Sequence, residues 1–353
     1  MDDVALAALF QKEFTWCRVI AGESVAIVTE PASPGSYLAA SLASLASMGA
    51  RPFQVMLPAT PGTDDIPVVA LGSGASTILA DFPHVVELLG KCDLVIDLTL
   101  EGLVHSPETQ TVLAGGARML WIREPADALA RLLPTADRVK RIDRSVELLG
   151  KAREMTVTSK AGTRFRANLE GALLTGSRGF CAERGRWAHW GQGLAAAYVK
   201  SLDVDGDIVL DVGDIVFPFN RYVESRTTFR FRRGFVEAIE GEGLDAALIR
   251  DYMERWRDEN AYGISHVGWG LHERGLWHAL SLYGNTSMGL DGRVFEGNFL
   301  FSTGPNHAAE RQSRCHFDIP LRHCSIFLDG VPVVLEGVIV EPSIKRASQA
   351  PLR

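Results

Sequence analysis

A histidine and an aspartate two positions apart form the clearest chemical pattern in the sequence, within Cys315-His316-Phe317-Asp318. In an extended segment, residues i and i+2 face the same side, so the imidazole and the carboxylate would point together at one metal ion. They would supply two of the three ligands of a two-histidine, one-carboxylate triad, which leaves open positions on iron(II) for a substrate and dioxygen. A third ligand must come from elsewhere in the chain.

The third ligand is predicted to be His266, in Ser265-His266-Val267-Gly268-Trp269-Gly270. Glycines beside a ligand let the backbone approach closely and adopt unusual torsions, as metal sites often require. Four further histidines have no partner at ligand spacing: His272, His278, His307 and His323. A single histidine or an isolated HxD pair is more often an ordinary core or surface group, so the residues alone leave both interpretations open.

Four segments, taken together, resemble the 2,5-dihydroxypyridine 5,6-dioxygenases, enzymes of nicotinate and nicotine breakdown. The segments are IDLTLEGLVHS from Ile96, HVGWG from His266, EGNFLFSTGPN from Glu296 and HFD from His316. The resemblance extends over essentially the whole chain, and its specificity depends on the four segments jointly.

The resemblance implies an iron(II) ion held by His266, His316 and Asp318, with His105 as the catalytic base. It also implies an extradiol-type reaction, in which dioxygen opens 2,5-dihydroxypyridine between ring carbons C5 and C6 to give N-formylmaleamate. Because the substrate supplies the electrons, no nicotinamide, flavin or haem is expected.

The position of His105 gives independent support for its role. His105 follows the apolar segment Asp93 to Thr99, beyond the carboxyl end of a predicted parallel strand. Open α/β sheets bind their ligands in crevices at that edge, and a neutral histidine there could take a proton from a ring hydroxyl. A loop histidine hydrogen-bonded to solvent is the competing interpretation.

Two further residues are candidate substrate contacts. Ser302, in Phe301-Ser302-Thr303-Gly304, carries a hydroxyl able to hydrogen-bond a substrate. His189, in Trp187-Ala188-His189-Trp190, is predicted to line the cavity with its aromatic neighbours. Tryptophan pairs are, however, more often part of a core than of a substrate wall.

The resemblance also brings in an alternative function, because the dinuclear aminopeptidases of thermophilic bacteria share the same framework. Those peptidases are expected to need acidic ligands where this chain has His266 and Leu300. A leucine cannot bind a metal, and a one-metal site with imidazole ligands suits oxygen activation better than peptide hydrolysis. A third hypothesis, a binding or scaffold protein, predicts no metal and a cleft poor in histidine.

The order of apolar patterns along the chain predicts an α/β protein with two domains. In residues 1–135, β-type runs alternate with helical patterns, which is typical of a mostly parallel α/β domain, the one contributing His105. The elements predicted there are strands at Ser24 to Thr29, Pro52 to Leu57, Asp93 to Thr99 and Met119 to Ile122, and helices at Ser36 to Met48 and Pro83 to Leu89.

Residues 136–353 are richer in strands and are predicted to form an α+β domain that carries the iron site. A helix at Val139 to Arg153 bridges to it. The other predicted elements are strands at Met155 to Ser159, Thr163 to Asn168, Asp207 to Val216, around Arg230 and at Phe235 to Ile239, a helix at Leu244 to Trp256, and a last hairpin of Ser325 to Leu328 and Val331 to Val340.

Two other patterns favour ordinary structural interpretations. In Phe229-Arg230-Phe231-Arg232, the alternation predicts a solvated or interface strand, with rings on one face and arginines on the other, rather than an anion site. Gly72-Ser73-Gly74-Ala75-Ser76 lacks the third glycine of a dinucleotide loop, and no Gly-Lys-Ser/Thr follows it. A plain turn is therefore favoured over a nucleotide site.

Charge and cysteine content narrow the remaining classes. The net charge of −7, from 36 basic and 43 acidic residues, provides no general attraction to nucleic acid or anionic membranes. Five cysteines without a CxxC pair favour a reducing compartment. Since the sequence starts without a basic leader and has no apolar run of membrane-spanning length, we expect a cytoplasmic protein. We also expect a homo-oligomer that uses a small aromatic substrate and dioxygen.

Overall fold

The computed structural model describes residues 1–60 and 76–346. A five-stranded parallel sheet forms its first part, with the order β2-β1-β3-β4-β8. In chain order the elements of this part are α1 (Asp3–Trp16), β1 (Ser24–Thr29), α2 (Gly35–Ser47), β2 (Arg51–Met56), α3 (Pro83–Gly90), β3 (Leu94–Asp97), α4 (Pro107–Ala114), β4 (Arg118–Trp121), α5 (Ala126–Arg131), α6 (Ala136–Lys151) and, from further along the chain, β8 (Trp187–His189).

β1, an interior strand of this sheet, is covered on both faces. In β1, Val25 and Ile27 face a core shared with α1 and α2. Ala26 and Val28 face a second core shared with α3 and α4. A strand covered by helices on both faces is apolar at nearly every position, which explains why this segment shows no polar alternation.

Antiparallel sheets build the second part. An eight-stranded sheet has the order β14-β13-β10-β6-β5-β18-β19-β20, and a five-stranded sheet has the order β17-β16-β15-β9-β7. The elements are β5 (Glu154–Ser159), β6 (Arg164–Asn168), β7 (Leu173–Ser177), β9 (Leu194–Tyr198), β10 (Val204–Leu210), β11 (Ile215–Val216), β12 (Arg221–Tyr222), β13 (Thr227–Arg232), β14 (Phe235–Glu240), α7 (Leu244–Arg255), β15 (Ile264–Gly270), α8 (Ala279–Tyr283), α9 (Leu290–Val294), β16 (Phe299–Thr303), β17 (Phe317–Leu321), β18 (Cys324–Leu328), β19 (Val331–Leu335) and β20 (Val338–Ile339).

Phenylalanines fill the core between these two sheets. Phe301 of β16 lies edge-on to Phe229 and Phe231 of β13, with ring centroids 5.5 and 5.9 Å apart. All three side chains are fully buried. The eight-stranded sheet therefore packs against one face of the five-stranded antiparallel sheet.

The fold class predicted from the sequence is confirmed: a mostly parallel α/β part is followed by a strand-rich α+β part. The boundary at residue 135 stays a prediction, and β8, which lies beyond it, completes the parallel sheet. The segment predicted as one strand from Val331 to Val340 is divided into β19 and β20 by a turn at Glu336 and Gly337, both at positive φ.

The two patterns given structural interpretations differ in outcome. Phe229 and Phe231 are buried, whereas Arg230 pairs with Asp207 and Glu240, as expected for an ordinary strand. The glycine-rich segment at residues 72–75 lies outside the described residues.

All five cysteines are buried free thiols. In the described ranges, no helix combines the length and the apolar character needed to cross a membrane.

Candidate metal centre

Three side chains converge on one point at the five-stranded antiparallel sheet. His266 lies in β15, His316 directly precedes β17, and Asp318 lies in β17. One ligand atom from each lies within 4.8 Å of the other two. Asp318 Oδ1 is 3.5 Å from His266 Nε2 and 3.4 Å from His316 Nε2, so the HxD pair shares one side, as its spacing predicts.

The strand between the ligands determines their arrangement. β16 pairs with β15 on one side and β17 on the other, with Ser302 directly opposite Asp318. A register shift in β15 between Ile264 and Val267 places two residues, including His266, opposite Ser302. Such a bulge re-aims a side chain, here the imidazole of His266 toward the carboxylate on the far strand.

Hydrogen bonds orient two of the ligands. His316 Nδ1 donates to the carbonyl oxygen of Thr303 at 3.0 Å, which leaves Nε2 free to bind a metal. The Ser302 hydroxyl donates to Asp318 Oδ1 and lies 2.8 Å from His266 Nε2. Ser302, predicted as a substrate contact, is thus placed directly against the ligand set, and its role toward a substrate stays a prediction.

Gly268, two residues after His266 in β15, has a steric role. A Cβ on Gly268 would lie 2.1 Å from the carbonyl oxygen of Ala195 on β9. The close approach of the backbones that was expected around His266 is therefore present.

The protonation states suit a cation. Burial by itself would raise the pKa of Asp318, but His316, Arg293 and His266 together hold this pKa well below its ordinary value. Burial lowers the pKa of His266 to about 4 despite the opposing effect of Asp318. At neutral pH the site therefore contains an ionised carboxylate and a neutral imidazole, both competent as ligands.

His105 lies beside His316, in the loop that follows β3. Its ring centroid is 4.9 Å from that of His316, and Nδ1 is buried with no hydrogen-bond partner among the described residues. Burial, reinforced by His316, lowers the pKa of His105 well below its ordinary value. His105 is thus a neutral imidazole in the lining of the cavity.

Asp97, the last residue of β3, shapes the loop that carries His105. Its carboxylate accepts hydrogen bonds from the Thr99 amide (2.9 Å), the Thr99 hydroxyl (2.7 Å) and the Leu103 amide (2.9 Å). Trp121 Nε1 also donates to the Thr99 carbonyl oxygen at 3.0 Å. A loop lacks the hydrogen bonds that hold neighbouring strands together. These side-chain bonds hold the loop instead, and the loop carries His105 in the cavity lining.

His189 forms part of the cavity wall, and its role toward a substrate stays a prediction. Its ring lies between Trp121 and Trp187, with centroids 4.6 and 5.2 Å away. Gln192 Nε2 lies 3.1 Å from His189 Nδ1, and burial, followed by the charge of Arg293, lowers the pKa of His189 to about 3. The histidine is therefore a neutral polar group in an aromatic wall.

The cavity lies between the parallel sheet and the five-stranded antiparallel sheet. Leu300 faces it beside the ligands. Its lining comprises Val104, His105, Trp121, Thr175, Ser177, Trp187, His189, Gln192, Leu194, Ala196, Tyr198, His266, Met288, Leu290, Arg293, Leu300, His316 and Asp318.

The sequence did not indicate two residues near the ligands. Arg293 donates from Nε to Asp318 Oδ2 at 2.9 Å and is buried. His307 is half-buried, and its ring centroid lies 6.3 Å from that of His105. Arg293 belongs to a five-residue helix without a clear amphipathic pattern, and His307 lacks ligand spacing, so no local rule identifies either residue.

Two imidazoles and an ionised carboxylate in a cavity between two sheets are typical of a metal-dependent enzyme that acts on a small molecule. Comparison with known proteins is more specific. Residues 5–341 match the family described as 2,5-dihydroxypyridine 5,6-dioxygenase. A curated protein of that name from Pseudomonas putida is 38% identical, over 98% of this chain and 99% of its own length.

Solved structures agree with this relationship. The structure of 2,5-dihydroxypyridine dioxygenase from Pseudomonas putida KT2440 is similar with a TM-score of 0.90 and 37% identity, covering 98% of this chain and all of that one. AmpT from Thermus thermophilus has a TM-score of 0.65 and 12% identity, covering 95% and 99%, and shares the fold alone. The chain belongs to the 2,5-dihydroxypyridine 5,6-dioxygenase family.

Proposed function

We propose that this protein is an iron(II)-dependent dioxygenase that opens 2,5-dihydroxypyridine between C5 and C6 to N-formylmaleamate, in the breakdown of nicotinate or nicotine. The observation that carries the proposal is the convergence of His266, His316 and Asp318 in a cavity that also contains His105. Family membership supplies the reaction and the substrate class.

The donor set fits the proposed ion. One imidazole has a lowered pKa, the other has its Nε2 left free by a hydrogen bond at Nδ1, and the carboxylate is ionised. Nitrogen and oxygen donors in a two-histidine, one-carboxylate set match non-haem iron(II), with positions left for other ligands. When bound, the iron supplies the redox chemistry that couples dioxygen to the aromatic ring.

His105 is assigned the role of base. Since its pKa is lowered by burial and by His316, the imidazole is neutral at physiological pH and accepts the proton of the ring hydroxyl at its free nitrogen. Removal of that proton raises the electron density of the ring. The acid limb of the pH–rate profile should therefore lie below pH about 6.5, the ordinary value for histidine.

The other wall residues orient the ring and exclude water. Trp121, Trp187 and Tyr198 present flat apolar surface, and His189 adds a polar group whose Nε2 is buried without a hydrogen-bond partner in the described part of the chain. We assign substrate contacts to His189 and Ser302. Holding a ring in one orientation lowers the entropic part of the barrier.

The wider setting is also a proposal. We infer a cytoplasmic homo-oligomer that uses a small aromatic substrate and dioxygen, with residues 1–135 as the unit contributing His105 and residues 136–353 as the unit carrying the iron. The negative net charge and the buried free thiols support this setting.

Anaerobic reconstitution with iron(II), followed by metal analysis and oxygen uptake with 2,5-dihydroxypyridine, tests the function. We expect one iron per chain and uptake that depends on the substrate. His316→Ala should lose both, whereas His84→Ala, which changes an exposed histidine on α3, should lose neither. Two zinc or cobalt ions with peptide cleavage would instead favour an aminopeptidase, and a chain that binds no metal would contradict both enzymatic hypotheses.

A further inference from the structure

The two oxygens of Asp318 have different surroundings. Oδ1 faces the two imidazoles, at 3.5 and 3.4 Å, whereas Oδ2 accepts a hydrogen bond from Arg293 Nε at 2.9 Å. Both side chains of this ion pair are buried, at 6% and 12% exposure. Oδ2 is therefore engaged by a cation of the protein, and Oδ1 alone is presented to the ligand set.

Arg293 itself is held from several directions. Its Nη1 donates to the carbonyl oxygen of Met288, and its guanidinium carbon lies 3.8 Å from the centre of the Phe217 ring. The carbonyl oxygen of Arg293 accepts a hydrogen bond from Asn298 Nδ2 at 2.9 Å. A guanidinium restrained in this way has little freedom to follow the carboxylate, so it fixes the orientation of Asp318.

The segment that carries Arg293 is attached to the parallel α/β part of the molecule. Glu124, three residues after the end of β4, is fully buried and accepts hydrogen bonds from the Ser287 hydroxyl and, at 2.8 Å, from the Leu290 amide. These bonds engage the first turn of α9. Arg131 of α5 forms a two-point ion pair with Asp291, the second residue of the same helix.

The turn before α9 is closely packed against Phe217. Gly289 has a φ of +82°, and a Cβ there would lie 2.2 Å from the Phe217 ring that also contacts Arg293. Phe217 thus packs against both the residue that precedes α9 and the guanidinium of Arg293, which lies in α9. The contacts form one connected series from Glu124 and Arg131, through α9, to Asp318.

We propose that Arg293 is a positioning residue for the carboxylate ligand, and that Glu124 and Arg131 set its position, so that the α/β part controls the geometry of the metal site. The proposal rests on the proposed function, because it takes Asp318 as a ligand. Engagement of Oδ2 by Arg293 favours binding through one oxygen, which keeps a coordination position available for substrate or dioxygen. Outer hydrogen bonds of this kind typically change metal affinity about 10–100-fold.

Cobalt(II) titration of the metal-free, full-length protein tests the inference, because cobalt absorption bands report both affinity and ligand geometry. Arg293→Met removes the hydrogen bond and the charge but keeps much of the volume. We expect binding weakened by about 10–100-fold and altered bands. Arg293→Lys, which keeps the charge, should recover part of the affinity.

A second substitution tests the contact between α9 and the α/β part. Arg131→Ala removes the ion pair to Asp291 and should weaken cobalt binding and alter its bands in the same direction as Arg293→Met. Asp127→Asn is the matched control, since Asp127 contacts Tyr283 at the same interface but does not engage α9. It should leave both readouts unchanged.

The outcomes separate the inference from the function. A wild-type protein that binds no cobalt would overturn the proposed function. Wild-type binding that Arg293→Met and Arg131→Ala leave unchanged, in affinity and spectrum, would overturn the inference alone. Circular dichroism and thermal melting verify folding, and if Arg293→Met does not fold, Arg293→Lys and Arg131→Ala decide.

Discussion

The cavity has one wall of hydrogen-bonded strands and an opposite wall of loops. On the strand wall, His266 and Asp318 are positioned by the ladders of β15, β16 and β17. On the loop wall, His105 depends on hydrogen bonds that the Asp97 carboxylate accepts, and Arg293 is held through a short helix. The strand wall carries the proposed metal ligands, and the loop wall carries the proposed base. We therefore expect substitutions on the two walls to have different effects.

Loss of a ligand from the strand wall should have the largest effect. Asp318→Ala removes the carboxylate and leaves Arg293 buried without its charged partner, which costs about 3–5 kcal/mol of stability in comparable cases. We expect metal retention and turnover to be lost together, measured by metal analysis and oxygen uptake. An active variant that retains no metal would contradict the assignment of the strand wall.

Loss of the base from the loop wall should separate rate from metal binding. His105→Ala should retain the metal and fold normally, because His105 belongs to no ladder, while the rate falls about 10²–10⁴-fold, as is typical for general-base removal. Metal analysis and steady-state kinetics measure the two effects. Unchanged kinetics would rule out the role of His105, and loss of metal would show that His105 also supports the metal ligands.

The core behind the strand wall should affect the stability of the fold. Phe301→Ala removes a fully buried ring packed on Phe229 and Phe231 and should reduce the free energy of unfolding by about 3–5 kcal/mol. Leu300→Met on the same strand is the control and should cost less than about 1.5 kcal/mol, because it conserves volume. Chemical denaturation of the metal-free protein compares them, and equal losses would contradict a core that supports the sheet from one side.

The two walls also differ in the pKa of their buried carboxylates, which gives the smallest expected effect. Burial raises the pKa of Asp97 to about 6, above the ordinary value of 3.8. The folded state therefore binds more protons between about pH 4 and 6, so the contribution of Asp97 to stability is greatest below that window and is lost as the pH rises through it. The pKa of Asp318 is lowered, so its contribution is present above its ordinary value and is lost as the pH falls.

Denaturation of the metal-free protein across that window measures the difference. Asp97→Asn cannot titrate and should remove a slope of at most about 1.4 kcal/mol per pH unit. The substituted side chain has one acceptor oxygen instead of two, which leaves the Leu103 amide without an acceptor, so only the slope, and not the absolute stability, is diagnostic. The same slope in both proteins would show that Asp97 does not titrate in this range.

The same contrast explains which features the sequence could predict. Strand periodicity relates His316 to Asp318 directly, and the apolar run of β1 predicts a covered parallel strand. The bulge at His266 and the positions of Glu124 and Arg293 depend on contacts between residues far apart in the chain, for which no local pattern exists. Neighbouring glycines made His266 a candidate third ligand, whereas family resemblance, rather than spacing, relates His105 to the HxD pair.

The pleat of β16 separates two kinds of constraint within five residues. Phe299 and Phe301 point into the core between the sheets, whereas Leu300 and Ser302 point toward the cavity and the ligands. Substitutions at Leu300 or Ser302 therefore change the cavity or the surroundings of the ligands. Phe299 and Phe301 continue to anchor the sheet in the core. Alternate positions of this one strand can therefore change without loss of the core that holds the sheet.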